Sequence, residues 1–235
     1  MLEVSDTNSF YDMSHILHNV SLSVGDGSLV TLIGRNGAGK STTLKSIIGL
    51  VKPRSGSITF KGEDITGLEP HQIVQRGIAY IPEHRELFPQ LTVRENLRLG
   101  HLGHEELSNP QERLETVYKY FPRLKERSHQ TAGSLSGGEQ QMVAIGRGMI
   151  SNPELLLIDE PTEGLMPTLV EKLKEILVRI NREEDISILL VEQNVSLSLE
   201  ISDYAYIIDE GEIKMEGESS VIAADKEIQQ KYLAV

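Results

Sequence analysis

The run Gly34-Arg35-Asn36-Gly37-Ala38-Gly39-Lys40-Ser41 fits the pattern G-x-x-x-x-G-K-[ST]. Binding a phosphate chain takes many backbone N–H groups at close range, and glycines allow that approach because side chains would block it and strain the loop. In such a loop Lys40 would bring a cation to the β- and γ-phosphates and Ser41 a hydroxyl to Mg²⁺. The helix that follows, with Thr42 in its first turn, would direct its positive end at the same phosphates. Average residue usage produces this pattern in roughly one per cent of chains of this length, so coincidence is the weaker explanation. The glycine spacing does not fit G-x-G-x-x-G, which argues against a dinucleotide site.

A second group is Leu155-Leu156-Leu157-Ile158-Asp159-Glu160-Pro161. Four apolar residues read as a buried strand, and two carboxylates follow at its carboxyl end, where ligands bind in open α/β sheets. Neighbouring strand residues point to opposite faces, so the two acids can take different work. Asp159 would hold Mg²⁺ through water, and Glu160 would polarise a water that attacks the γ-phosphate. An isolated Asp-Glu pair reads equally well as a solvated acidic turn; a phosphate loop in the same chain weakens that reading. A third group, Leu135-Ser136-Gly137-Gly138-Glu139-Gln140-Gln141, opens a helix with a polar-glycine turn. It is either a second anion-binding turn or a helix cap.

These residues need elements to hold them. Val20–Val24, Leu29–Ile33 and Ser57–Phe60 read as strands, and Leu29–Ile33 runs through the glycine loop into a helix at Ser41–Gly49. Residues 84–150 read as mainly helical, with helical spacing at Thr92–Gly100 and Pro110–Tyr120 and a loop between. Strands then recur at Leu155–Ile158 and Ile186–Val191, separated by a helix from about Leu169 to Asn181. Tyr204–Asp209, Glu210-Gly211 and Glu212–Met215 read as a hairpin. Strands alternating with helices imply a mostly parallel sheet, so the fold class is α/β with a helical lobe.

Composition removes other classes. The 235 residues suit one domain, or one core with a smaller lobe, and can bury a core without disulfides. There is no cysteine, which excludes thiol redox chemistry and zinc–thiolate sites. A net charge of −12 argues against sequence-independent nucleic-acid binding and against adsorption to anionic lipid. No segment approaches the ~20 apolar residues that span a bilayer. The opening MLEVSDTNSF carries acidic and no basic residues, so it does not read as a signal peptide. His101 and His104, with Glu105 and Glu106 beside them, read as a solvated loop rather than a metal site, and Glu171–Glu184 as an exposed, salt-bridged helix face.

The three motifs, in their order along the chain, resemble the ABC-type ATPases over nearly the whole chain; Leu135–Gln141 matches the signature that separates that family from other phosphate-loop enzymes. The resemblance implies a single domain over 1–235: a P-loop NTPase core at about 1–83 and 151–235, with a small antiparallel β subdomain, and a helical subdomain at about 84–150. It implies ATP and Mg²⁺ as ligands and ATP hydrolysis coupled to solute transport. Tyr11 lies where members stack an aromatic ring on adenine, although an exposed Tyr alone is more often structural. Ser136, Gly137 and Gly138 would close on ATP held by the opposite subunit, and Glu163–Pro167 sits at the loop joining the two sites.

Two positions depart from the common pattern. Glu83 stands where most members have a glutamine reaching Mg²⁺ and the attacking water; it keeps an oxygen ligand but adds a negative charge. Gln193 stands where most have a histidine on the γ-phosphate; it can donate a hydrogen bond but cannot carry a proton. Ile81-Pro82-Glu83 with Glu86-Leu87-Phe88-Pro89, Val191-Glu192-Gln193-Asn194, Gly138–Arg147 and the ending Tyr232–Val235 resemble the second ATP-binding subunit of branched-chain amino acid importers. Ser14–Leu17, Pro70-His71-Gln72 and Thr162-Glu163-Gly164 resemble the urea or short-chain amide importer ATPase. The resemblance implies a dimer with a second ABC ATPase subunit, either a heterodimer or a homodimer. It also implies two permeases docking near Glu83–Leu91, an external solute-binding protein, and a peripheral place on the cytoplasmic face of the plasma membrane. A non-transport ABC ATPase for iron–sulfur assembly is the alternative from another class; a phosphate-loop kinase is disfavoured by the signature.

Overall fold

The structure is a computed structural model that describes residues 1–102 and 109–225. The chain opens with β1 (Leu2–Tyr11) and β2 (Ser14–Val24), an antiparallel pair that reverses around Asp12-Met13. The sequence pattern shows only the end of this pair. Register shifts between Val4 and Phe10 break the two-residue alternation in β1, and within Ser14–Asn19 only Leu17 is buried, so neither stretch carries a clean strand signal.

β3 (Leu29–Ile33) runs through the glycine loop into α1 (Lys40–Ile47). β4 (Ser55–Phe60) and β5 (Glu63–Asp64) complete a four-stranded antiparallel sheet in the order β2-β1-β4-β5. After α2 (Pro70–Val74), β6 (Ile78–Ile81) enters the main sheet. Helix then begins only at α3 (Val93–Leu99), followed by α4 (Pro110–Tyr120), α5 (Pro122–Glu126) and α6 (Gly137–Ile150). The interval 83–92 is an irregular loop. His104, Glu105 and Glu106 lie outside the described residues, as does Tyr232–Val235.

The second half alternates β7 (Leu155–Asp159), α7 (Pro167–Glu184), β8 (Ser187–Glu192), α8 (Val195–Ile201) and β9 (Tyr204–Asp209). The hairpin strand β10 (Glu212–Glu218) and α9 (Ser219–Ala224) follow. The main sheet has the order β10-β9-β3-β8-β7-β6; every pair is parallel except the β10–β9 edge.

Burial follows from strand geometry. Every residue of β3, β7 and β8 is buried, as expected for parallel strands covered on both faces. Alternate residues serve opposite faces. Leu156, Ile158, Ile188 and Leu190 pack with α3–α7 in one core. Val30, Leu32, Leu155, Leu157 and Leu189 pack with α1 and the antiparallel sheet in another. In α7, Leu173, Ile176, Leu177 and Ile180 form the buried stripe. Its outer face carries pairs such as Arg179–Glu183 at 3.0 Å, and Lys174 joins Glu200 at 2.8 Å.

Asn96 fastens the end of the loop before α3, as Arg147 does its start. Asn96 is fully buried; it accepts from the Phe88 N–H at 2.9 Å, and its amide donates to the carbonyls of Phe88 and Thr92 at 3.0 Å. Replacing it strands the Phe88 N–H and carbonyl, while the Thr92 carbonyl keeps the Asn96 backbone N–H. Asn96→Ala is expected to lose about 2 kcal/mol and to lower Tm by about 4–8 °C, measured by calorimetry, without loss of the parallel core.

Candidate active site

Parallel register brings three strand ends together. Ile33 lies opposite Glu192, and Asp159 opposite Val191, so the ends of β3, β8 and β7 form one rim. The glycine loop leaves this rim from β3. A Cβ on Gly34 would overlap the carbonyl oxygen of Ile208. Gly39 has φ 110°, in the left-handed region, and a Cβ there would lie 2.8 Å from Leu17 Cδ2. Gly39 caps α1, and no side chain accepts from the helix's first N–H groups. Those donors are free to face an anion.

Lys40 is buried within the loop. Its ammonium donates to the Gly34 and Arg35 carbonyls at 3.0 and 3.1 Å and pairs with Glu160 Oε1 at 2.9 Å. Glu160 is held in a constrained backbone state: its φ is 42°, and its N–H donates to the Val191 carbonyl at 2.9 Å. Asp159, beside it on β7, is 1% exposed. Its Oδ1 accepts from Ser41 Oγ at 2.9 Å and its Oδ2 from Tyr80 Oη at 3.1 Å. Burial pushes the Asp159 carboxyl above its ordinary range, and the two hydroxyls offset part of that. Burial and the Asp159 carboxylate together raise the Tyr80 phenol, so Tyr80 acts as a donor.

Tyr11, Ile16, Asn36, Gly37, Gly39, Lys40, Ser41, Thr42, Glu83, Glu160 and Glu163 line one cleft of about 430 Å³. Tyr11 forms its exposed outer wall, at the end of β1. Arg35 and Ala38 shape the loop through their backbones: Ala38 N–H donates to Arg35 O, and Gly211 N–H to Ala38 O. Glu83 faces Glu163 across the cleft, and that contact raises the Glu163 carboxyl. Gln193 lies next door, in a smaller depression shared with Glu160, Thr162 and Glu192.

Ser136, Gly137 and Gly138 do not line this cleft; they open α6. Ser136 Oγ accepts from the Glu139 N–H, and Glu139 reaches back to the Ser136 N–H at 3.0 Å, a reciprocal cap. Gly137 faces the Arg85 guanidinium, which donates to Gln141 at 3.0 Å.

Four residues of the site escape motif reading. Tyr80 reaches Asp159 only because β6 pairs with β7. Thr162 and Glu192 meet across 30 positions of sequence, at 2.6 Å. Ile16 joins the cleft through the β1–β2 hairpin. No spacing in the chain announces any of these contacts.

The oxygen-only donor set of Ser41 and Asp159, already in contact, suits a hard cation such as Mg²⁺. Among the described residues no group of three or more His, Asp or Glu forms a metal cage. A cation sharing its shell with phosphate and water needs only one or two protein ligands.

A family profile described as ABC transporter matches residues 17–163. The chain belongs to the ABC transporter family. This ABC ATPase is 42% identical over 233 residues to the high-affinity branched-chain amino acid transport ATP-binding protein BraG of Pseudomonas aeruginosa, covering 99% of each chain. It is 35% identical over 237 residues to a probable branched-chain amino acid transport ATP-binding protein, LivF, of Archaeoglobus fulgidus, covering 100% of this chain and 99% of that one. It also superposes on a dimeric, post-hydrolysis ATP-binding cassette bound to ADP and Pi, with TM-score 0.83 and 26% identity over 93% of this chain and 99% of that one. The ATPase is an α/β P-loop protein that binds ATP. Among the described residues no helix is long and apolar enough to cross a membrane.

The buried Asp159 gives a stability test of its electrostatics. Its carboxyl is raised in the fold, so the stability lost by ionising it appears as pH rises through that raised value and is absent below the ordinary Asp range. Asp159→Asn is therefore expected to raise the Tm of the ATPase without nucleotide at pH 7 by about 2–4 °C, the shift that ~1 kcal/mol produces in a chain of this size. The gain should vanish near pH 4, as thermal unfolding across that range would show.

Proposed function

We propose that this ATPase powers an importer of branched-chain amino acids, hydrolysing ATP to ADP and phosphate at the cleft beneath Tyr11. The observation that supports hydrolysis is the placing of Glu160 at the end of β7, 2.9 Å from the phosphate-loop Lys40. The solute class is supported by the two full-length relatives named for branched-chain amino acid transport.

In this reading Tyr11 stacks on adenine. The N–H groups of Gly34–Gly39 and the first turn of α1, with Ser41 and Thr42, cradle the phosphates, and Lys40 shifts from Glu160 toward the β- and γ-phosphates. Ser41 and Asp159, with Glu83 as a further oxygen, would hold Mg²⁺, and that ion would supply neutralising charge to the phosphates. Glu160, relieved of Lys40, orients the attacking water and accepts its proton. Gln193 donates a hydrogen bond toward the γ-phosphate. Ser136, Gly137 and Gly138 lie outside the cleft, which suits a role on ATP held by a second ATPase subunit, in a heterodimer or a homodimer.

One ABC ATPase domain over 1–235, with its helical lobe at about 84–150, would then work against two permeases and, through them, an external solute-binding protein. The groove between β6 and the helices, about 370 Å³ and edged by exposed Phe88 and Leu102, supports permease docking beside Glu83–Leu91. Such docking would hold the chain at the cytoplasmic face of the plasma membrane.

Glu160→Gln keeps shape and removes the negative charge, so it is expected to bind ATP with near wild-type affinity and to lose turnover by about a hundredfold or more. Nucleotide titration and phosphate release measure the two, and wild-type turnover would remove Glu160 from its role. The solute is tested by isolating the ATPase with its membrane partners and reconstituting them with their binding protein. Stimulation of hydrolysis by leucine, isoleucine or valine supports the proposal. Stimulation by urea or acetamide gives the site to the amide branch, and recovery only in a soluble scaffold complex defeats transport.

A further inference from the structure

Glu192 ends β8 with a carboxylate that is almost completely enclosed, the residue being 2% exposed. A buried carboxylate is stable only when its oxygens are satisfied, and here each oxygen serves a different segment. Oε1 accepts from the Thr162 N–H at 3.0 Å and the Thr162 hydroxyl at 2.6 Å. Oε2 accepts from the Gln193 N–H at 3.1 Å and the Asn194 N–H at 3.2 Å. The first segment follows Glu160 by two residues. The second carries Gln193 and starts α8, where Asn194 Oδ1 caps the Leu197 N–H at 3.1 Å.

The strand also holds the first segment through its backbone, since the Val191 carbonyl accepts from the Glu160 N–H. No Lys or Arg lies among the hydrogen-bond partners recorded for Glu192; its donors are three backbone amides and one hydroxyl. Rigid N–H donors fix geometry more tightly than a long flexible cation does. The carboxylate therefore holds the turn after Glu160 and the turn of Gln193 at a set spacing.

We infer that Glu192 is the positioning residue of this ATPase: its split carboxylate keeps Glu160 and Gln193 aligned on one γ-phosphate. The inference rests on the roles proposed above for those two residues. Glutamine at 192 would keep the volume but offer one acceptor oxygen and one NH₂. Whichever turn faced the NH₂ would meet donor with donor and be released. The Lys40, Ser41 and Tyr11 contacts lie outside this network, so nucleotide binding would survive.

The test compares Glu192→Gln, Thr162→Val, the double variant and Glu160→Gln in the full transporter assembly, reading kcat, KM for ATP, nucleotide affinity and Tm. Glu192→Gln is expected to lower kcat by about 10- to 100-fold, the scale of a small misplacement, with KM and affinity within about threefold of wild type. Thr162→Val, which loses only the hydroxyl, is expected to lose about 3- to 10-fold in kcat at unchanged Tm, and the double variant to be no slower than Glu192→Gln. Turnover by Glu192→Gln within about twofold of wild type, while Glu160→Gln is inactive, overturns this inference and leaves the hydrolytic reading standing. A parallel fall of kcat, affinity and Tm also overturns it, as that is a folding role. Should Glu192→Gln fail to fold, Thr162→Val decides: a kcat loss at unchanged KM and Tm supports the inference, and wild-type kcat overturns it. Wild-type turnover by Glu160→Gln would remove the reading beneath and this inference with it.

Discussion

The parallel register of β3, β8 and β7 is the constraint on which the site depends. It sets Ile33 beside Glu192 and Val191 beside Asp159, so the phosphate loop, the Asp159-Glu160 pair and the Gln193 turn share one rim. Such crowding brings three carboxylates to an edge with little water. Each is satisfied differently. Asp159 receives two hydroxyls, Glu160 the Lys40 ammonium, and Glu192 backbone amides with one hydroxyl. The differences matter chemically. An ion pair can exchange partners when phosphate arrives; amide cradles cannot. Glu160 is therefore the acid free to change its company, and Glu192 the one that stays.

The core explains why the rim does not yield. Parallel strands buried on both faces leave no soft side, and their alternate residues lock into two separate cores. Positive φ at Glu160 is sustained because the surrounding sheet determines it, with the Val191 carbonyl holding its N–H. The loop at 83–92 is built otherwise: it leans on side chains of the helical layer, on Asn96 and on Arg147, which donates to the Arg85 and Glu86 carbonyls. Glu83 thus sits on a segment attached to the helices, while Asp159 and Glu160 sit on the sheet. Any displacement of helices against sheet changes the distance of Glu83 from the other acids.

What the sequence reveals divides along the range of the interactions. β3, β7 and β8 are legible because full burial makes them short apolar runs, and the phosphate loop because its chemistry is local. The turn at Ser136 is legible as a cap because Ser and Glu three apart satisfy each other. β1 is not, since bulges near Asp6 spoil its alternation. The loop at 83–92 falls, from residue 84 on, inside a stretch read as mainly helical, yet its hydrogen bonds are short backbone turns and contacts to Asn96 and Arg147 rather than a helical ladder. Tyr80 and Glu192 are invisible as site residues for the same reason: each acts across strands, and no spacing within one segment encodes a neighbour in another. Motif reading finds groups that touch a ligand and misses those that hold such groups in place.

An acidic protein that binds a polyanion needs explanation, and scale supplies it. The net charge of −12 is spread over the chain and screened within ~8 Å at physiological salt. Phosphates at the loop would meet something closer: glycine-loop amides, the uncapped start of α1, and a buried ammonium with no solvent to screen it. Nucleic acid offers phosphates too, but it is held by basic surface extended along a groove, and this chain's overall balance opposes that. Short-range donors therefore admit a single phosphate chain while the long-range field repels a polymer of them. Glu83, Glu163 and Glu160 line the same cleft, so the attraction for an anion there comes from the loop amides and Lys40 rather than from the cleft as a whole. Glu160 tempers that attraction, because until phosphate arrives it is the partner that holds the Lys40 ammonium.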